Sequence, residues 1–137
     1  LTLLFDGLKA YISVLITLNY LPEYIYFSAL LCFLGHIFPI WLKFKGGKGV
    51  AVYLGILFSF SINLSMLFVV SWLVILFFSK YSSLSSLIST LLIFIYSLIF
   101  KSFNESIFFF IIFIIIIYTH RENIIRLKSK KENKIKI

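Results

Sequence analysis

Seven consecutive residues, Lys43-Phe44-Lys45-Gly46-Gly47-Lys48-Gly49, hold three lysines and three glycines. This composition suits the capture of a phosphate. Ammonium groups supply charge, and residues without a Cβ let backbone N–H groups come close to an anion. A helix expected to start near Val50 adds the partial positive charge of its N-terminus. Lys45, Gly46, Gly47, Lys48 and Gly49 are therefore the candidate phosphate-binding residues. The loop is not a Walker A motif. That motif places a Gly four residues ahead of its Gly-Lys pair and a Ser or Thr behind it, whereas here Leu42 and Gly49 stand at those positions. A lysine cluster that only orients the chain in a membrane is the plainer alternative.

A second group is Thr119-His120-Arg121-Glu122-Asn123. On a helix, His120 and Asn123 are three apart and share a face. An imidazole can orient or deprotonate a hydroxyl near neutral pH, and the Asn123 amide can hold a second hydroxyl. The alternative is a polar flank that ends a helix. Glu122 and Arg126, four apart, suit a stabilising ion pair. In Ser82-Ser83-Leu84-Ser85-Ser86, hydroxyls can donate to a phosphate, cap a helix or pack as small residues between helices; Ser83 is the candidate contact. His36 suits a buried structural role or support of the 43–49 loop. Asp6 and Lys9, three apart, are expected to pair.

Other chemistries are excluded by pattern. The two histidines are 84 residues apart, and neither H-E-x-x-H nor G-x-S-x-G occurs. No metal or cofactor is expected. A His followed five positions later by Asp, as in acyl-CoA-type acyltransferases, is missing as well: Trp41 and Ile125 occupy those places. The lone Cys32 rules out a disulfide within the chain.

The elements that must position these groups are apolar. Of 137 residues 61% are hydrophobic and 13% charged, against about 25% charged in an ordinary soluble domain. Mean hydropathy is +1.07. No soluble core of this size hides so much apolar surface, so the surrounding solvent is lipid. Six apolar segments are predicted as helices: 8–21, 24–42, 50–60, 62–78, 84–100 and 106–118. Several are short of the 17–25 residues that cross a bilayer, so the fold class is an all-α polytopic membrane protein with about six spanning or partly spanning helices.

Charge gives the expected orientation. The net charge is +8, and residues 120–137 carry seven basic side chains against two acidic ones. Basic clusters beside spans mark the cytoplasmic side and attract anionic lipid. With loop 43–49 inside, the turn at 79–83 and the tail also fall inside, and the uncharged 59–63 turn falls outside. Lys101 is the one cation on the outer side, with Glu105 available to offset it. This predicts a transmembrane part over 1–119, with cytoplasmic loops at 43–49 and 79–83, and a cytoplasmic basic tail over 120–137. Nucleic-acid binding is not expected, because no soluble domain is present to dock it.

Together these residues resemble a known family. Gly35-His36-Ile37-Phe38-Pro39 followed by Phe44-Lys45-Gly46-Gly47-Lys48-Gly49-Val50-Ala51 is similar to the central motif of the PlsY family of bacterial glycerol-3-phosphate acyltransferases. His120-Arg121-Glu122-Asn123-Ile124-x-Arg126-Leu127 resembles its C-terminal motif, and Phe5-Asp6-x-Leu8-Lys9 and Tyr81-x-Ser83-Leu84-x-Ser86-Leu87 are similar to further stretches. The resemblance runs from about residue 3 to 127. It implies a seven-helix fold of which the first helix is not in this chain, and a Gly-Ser-Gly-Asn and Gly-Ala-Thr-Asn loop with a nearby Arg ahead of Leu1. It implies transfer of an acyl group from acyl-phosphate to glycerol 3-phosphate, giving lysophosphatidate and phosphate at the bacterial inner membrane. It uses no acyl-CoA and no cofactor. On this reading Lys45, Lys48, the loop glycines and Ser83 bind phosphate, His120 and Asn123 orient the hydroxyl, and His36, Glu122 and Arg126 give structural support. A membrane carrier of a phosphorylated anion and a shortened inactive relative are the alternatives.

Overall fold

The structure is a computed structural model and describes residues 2–44 and 46–135. In hydrocarbon the backbone has no water to bond, so apolar runs must satisfy their own N–H and C=O groups as helix. Among the described residues seven helices result: α1 (Thr2–Tyr20), α2 (Ile25–Ile37), α3 (Val50–Phe60), α4 (Ile62–Ser79), α5 (Ser82–Phe100), α6 (Phe103–Thr119) and α7 (Arg121–Lys128). Short 3₁₀ turns lie at Pro22–Tyr24 and Ile40–Leu42. There is no strand among the described residues.

By length and composition α1, α4 and α5 can each cross a membrane, and α6 with α7 forms a further apolar pair bent by 62°. The 11-residue α3 rises only about 16 Å, roughly half the hydrocarbon thickness. Large apolar side chains face outward: Leu3 is 70% exposed, Phe78 80% and Phe103 79%. Such a surface suits lipid, and the fold is an all-helical membrane protein as the composition requires.

Three boundaries differ most from those expected. The first helix begins at Thr2 rather than near residue 8. The second stops at Ile37 instead of continuing to 42, because Pro39 disfavours helical backbone in the residue before it; Phe38 leaves the helix at φ −119°. The flank after His120, expected as tail, carries the extra helix α7.

The chain divides into two compact units, residues 1–65 and 66–137. In the first, α1 lies tightly on α3. A Cβ on Gly55 would overlap the Gly7 carbonyl, so two glycines set the crossing. Ala10 and Val14 are the fully buried residues of α1. Thr17 Oγ1 donates to Ser28 Oγ at 2.8 Å and ties α1 to α2. In the second unit, Trp72 Nε1 donates to Ser86 Oγ at 3.0 Å between α4 and α5. The Phe94 ring packs on Phe110 and Phe113 of α6, with centroids 5.2 and 6.1 Å away. Ser102 caps α6 by accepting from the Glu105 N–H at 3.3 Å, while Lys101 pairs with Glu105 at 3.4 Å as expected.

Candidate active site

In the first unit, the cationic loop is built on the end of α2. Past Pro39 the chain turns through left-handed backbone at Lys43 and Phe44, φ 51° and 62°. It then returns to α2, where the Gly46 N–H donates to the Ile37 carbonyl at 3.0 Å. A Cβ on Gly46 would overlap the His36 carbonyl, and one on Gly47 would overlap His36 Nε2. These two glycines are therefore required by the close approach of the loop to α2. The Gly46 N–H, expected to face an anion, is committed to Ile37 in this structure. Gly49 is buried at φ +83° and is the N-cap of α3, with the Phe33 ring in the space a side chain would need. Gly46, Gly47 and Lys48 are exposed. Lys45 lies outside the described residues.

His36 sits beneath this loop and is held from the other side. Lys9 Nζ donates to Asp6 Oδ1 at 2.6 Å, which is the expected pair. His36 Nδ1 lies 3.4 Å from Asp6 Oδ1 and 3.4 Å from Lys9 Nζ. The charges of α1 thus reach the imidazole that supports Gly47. The spacing of Asp6 and Lys9 showed their pairing but not its third member, 27 residues from Lys9.

The same unit carries an apolar groove of about 520 Å³ between α1 and α3. Leu4, Gly7, Tyr11, Leu54, Gly55 and Phe58 line it, together with Ala51 in the first turn of α3. Ala51, two residues beyond Gly49 in the chain, is the lining residue nearest the cationic loop in sequence.

In the second unit, His120 lies at the bend between α6 and α7 and is 2% exposed. Its Nδ1 is 2.9 Å from the Ile116 carbonyl, which can only accept. Nδ1 therefore carries the proton, and in the neutral ring the basic lone pair is on Nε2. Asn123, 5% exposed, follows on α7.

Sequence reasoning missed the residue that organises this region. The chain after α7 folds back to the α4–α5 turn, where the Ile135 N–H donates to the Lys80 carbonyl at 2.9 Å. Glu132 thereby receives three donors. Ser83 Oγ and Asn123 Nδ2 donate to Oε1 at 2.7 and 2.6 Å, and Arg126 Nε to Oε2 at 2.7 Å. Burial pushes the Glu132 carboxyl up, but hydrogen bonds from Ser83, Asn123 and Arg126, with the Arg126 charge, outweigh it and hold its pKa at about 2. The only hint in the sequence is an acid placed among lysines. Its partner Ser83 is 49 residues away, beyond the reach of any local pattern.

Ser83, the candidate phosphate contact, directs its hydroxyl hydrogen to Glu132 in this structure. These serines do not cap α5, whose N-cap is Tyr81 without a side-chain bond. Ser85 and Ser86 instead bond back to the carbonyls of Tyr81 and Ser82. Arg126 makes the expected i,i+4 pair with Glu122, at 4.0 Å, and a second, shorter one with Glu132 at 2.7 Å.

A family model described as glycerol-3-phosphate acyltransferase matches residues 1–130. A glycerol-3-phosphate acyltransferase of Pelagibacter ubique is 57% identical over 137 residues, covering 99% of this chain and 71% of the relative. One of Ehrlichia canis is 41% identical, with 98% and 71% covered. The crystal structure of PlsY (YgiH), an integral membrane glycerol 3-phosphate acyltransferase in its glycerol 3-phosphate form, superposes with a TM-score of 0.93 at 33% identity, over 98% of this chain and 69% of that one. Its lysophosphatidic acid form matches with the same TM-score over 70% of its length.

Proposed function

The chain belongs to the glycerol-3-phosphate acyltransferase family, and from that premise we propose that it transfers an acyl group from an acyl-phosphate to a hydroxyl of glycerol 3-phosphate. The observation that carries the choice of donor is the juxtaposition in the first unit. An exposed Gly46-Gly47-Lys48 segment leads, through Gly49, into α3, whose first turn lines the apolar groove at Ala51. Charge beside hydrocarbon suits one amphiphile, a phosphate with an acyl chain.

The chemistry needs no covalent enzyme intermediate, since an acyl-phosphate is already activated. The hydroxyl oxygen attacks the acyl carbon and forms the ester C–O bond. The bond from that carbon to the phosphate oxygen breaks, and the electron pair leaves with phosphate. The hydroxyl proton goes to His120 Nε2 or to the departing phosphate. Lys48 and Lys45 stabilise charge on phosphate, and His120 and Asn123 hold the hydroxyls of glycerol 3-phosphate. His36 supports the loop through Gly47. Ser83 contacts phosphate from beside the tail carboxylate it also bonds, and Arg126 holds that carboxylate in place. The enzyme works at the bacterial inner membrane with loop and tail on the cytoplasmic side, where the basic tail meets anionic lipid.

A donor comparison tests this. Purified protein in lipid should release phosphate from palmitoyl-phosphate only when glycerol 3-phosphate is supplied, and palmitoyl-CoA should not replace the donor. Equal turnover with palmitoyl-CoA, or phosphate release indifferent to the acceptor, overturns the proposal.

A further inference from the structure

We infer that Glu132 is a positioning residue that fixes the hydrogen-bond polarity of Asn123, turning the amide oxygen toward the substrate so that the site accepts a hydrogen bond from the second hydroxyl of glycerol 3-phosphate. The inference rests on the acyl-transfer reading above and adds a residue from outside the motifs that carry it.

The reasoning begins with the ambiguity of an amide. An asparagine side chain has a donor end and an acceptor end of almost equal shape, and its surroundings decide which faces a ligand. Here one end lies 2.6 Å from Glu132 Oε1. A carboxylate has no hydrogen to give, so that end must be Nδ2. The carboxylate is itself held in place. Its other oxygen takes the Arg126 Nε–H at 2.7 Å, and the Ser83 hydroxyl donates to the same oxygen as Asn123. The Glu132 side chain is 10% exposed, so water competes little for these bonds. Asn123 therefore presents Oδ1 away from Glu132. His120 follows the same logic: with Nδ1–H bonded to Ile116, its other nitrogen is an acceptor. The Asn123 oxygen offers an acceptor, and a substrate hydroxyl supplies the matching donor.

Replacing the carboxylate by an amide reverses the polarity. In Glu132→Gln the guanidinium of Arg126 is the charged partner and captures the new amide oxygen. The Gln Nε2 then faces Asn123, which must turn its own oxygen inward and offer Nδ2 outward. Adding Asn123→Asp restores an oxygen on the outward side, because a carboxylate accepts from Gln and accepts from substrate alike.

The experiment measures how two analogues of glycerol 3-phosphate compete with it during turnover. One lacks the second hydroxyl (2-deoxy) and the other carries fluorine there (2-deoxy-2-fluoro). Fluorine cannot donate and is repelled by an acceptor. The unmodified protein should bind the deoxy analogue about tenfold more weakly than glycerol 3-phosphate, and the fluoro analogue more weakly still. In Glu132→Gln the two analogues should exchange order, and in Glu132→Gln/Asn123→Asp the original order should return. Thermal melting in detergent verifies that each variant is folded. A folded Glu132→Gln that keeps the original order overturns the inference, since a carboxylate acting only as a staple would leave that order alone. Should Glu132→Gln not fold, the unmodified protein decides: tighter binding of fluoro than deoxy means that Nδ2 faces the substrate, and the inference fails. Absence of turnover by the folded unmodified protein removes the acyl-transfer reading itself, and the inference with it.

Discussion

Lys48, Gly47 and His120 make claims that single substitutions can measure. Lys48→Ala removes a charged donor from the loop and should raise the KM for a phosphorylated substrate on the order of 10–100-fold. His120→Ala removes the buried base and should lower kcat about 10²–10⁴-fold with membrane insertion unchanged; steady-state kinetics on both variants verify this. Gly47→Ala forces a methyl group into His36 Nε2, so Gly47→Ala and His36→Ala combined should cost less than their separate losses predict. Additive losses would show that the contact does not matter. Residue type and spacing singled out Lys48, His120 and Asn123 as candidates in the sequence. Glu132 was not singled out, because its partners come from three elements and its sign opposes the tail around it. Gly46 was legible as a special residue, and the structure adds a reason the sequence did not show: the carbonyl end of α2 lies against it.

Helices were easier to read than sites, because runs of hydrocarbon leave the backbone no other bonded form. Their ends were harder. Pro39 shortens α2, and the polar flank 120–128 forms α7 because His120 bends the chain while its backbone keeps bonding, with the His120 N–H donating to the Ile116 carbonyl at 3.0 Å. Two predictions belong to this scale. Leu54→Phe narrows the α1–α3 groove and should raise the ratio of dodecanoyl- to palmitoyl-phosphate turnover roughly tenfold; an unchanged chain-length profile would remove the groove from the acyl site. The fold-back of the tail should also be acid-sensitive. The carboxyl of Glu132 is depressed from 4.5 to about 2, so its stabilising contribution is complete above pH 4.5 and is lost as pH falls toward 2. The protection of the Ile135 amide, bonded to Lys80, measured against its intrinsic exchange rate at each pH, should fall across that window in the unmodified protein and be low throughout in Glu132→Ala.

At the scale of the whole molecule, apolar composition and the family's motifs both led to an all-helical membrane enzyme, and the fold agrees with them. The proposed cytoplasmic side rests on basic charge alone, and labelling can test it. In a Cys32→Ala background, cysteines placed at Lys43 and at Ser129 should react with an impermeant thiol reagent only when the cytoplasmic face is open. Reaction of the two from opposite sides would contradict a shared cytoplasmic origin. Acyl transfer itself is tested most directly by product balance. Purified protein in lipid vesicles, given palmitoyl-phosphate and glycerol 3-phosphate, should form one lysophosphatidate for each phosphate released; phosphate without lysophosphatidate, or neither product from a folded protein, would contradict it.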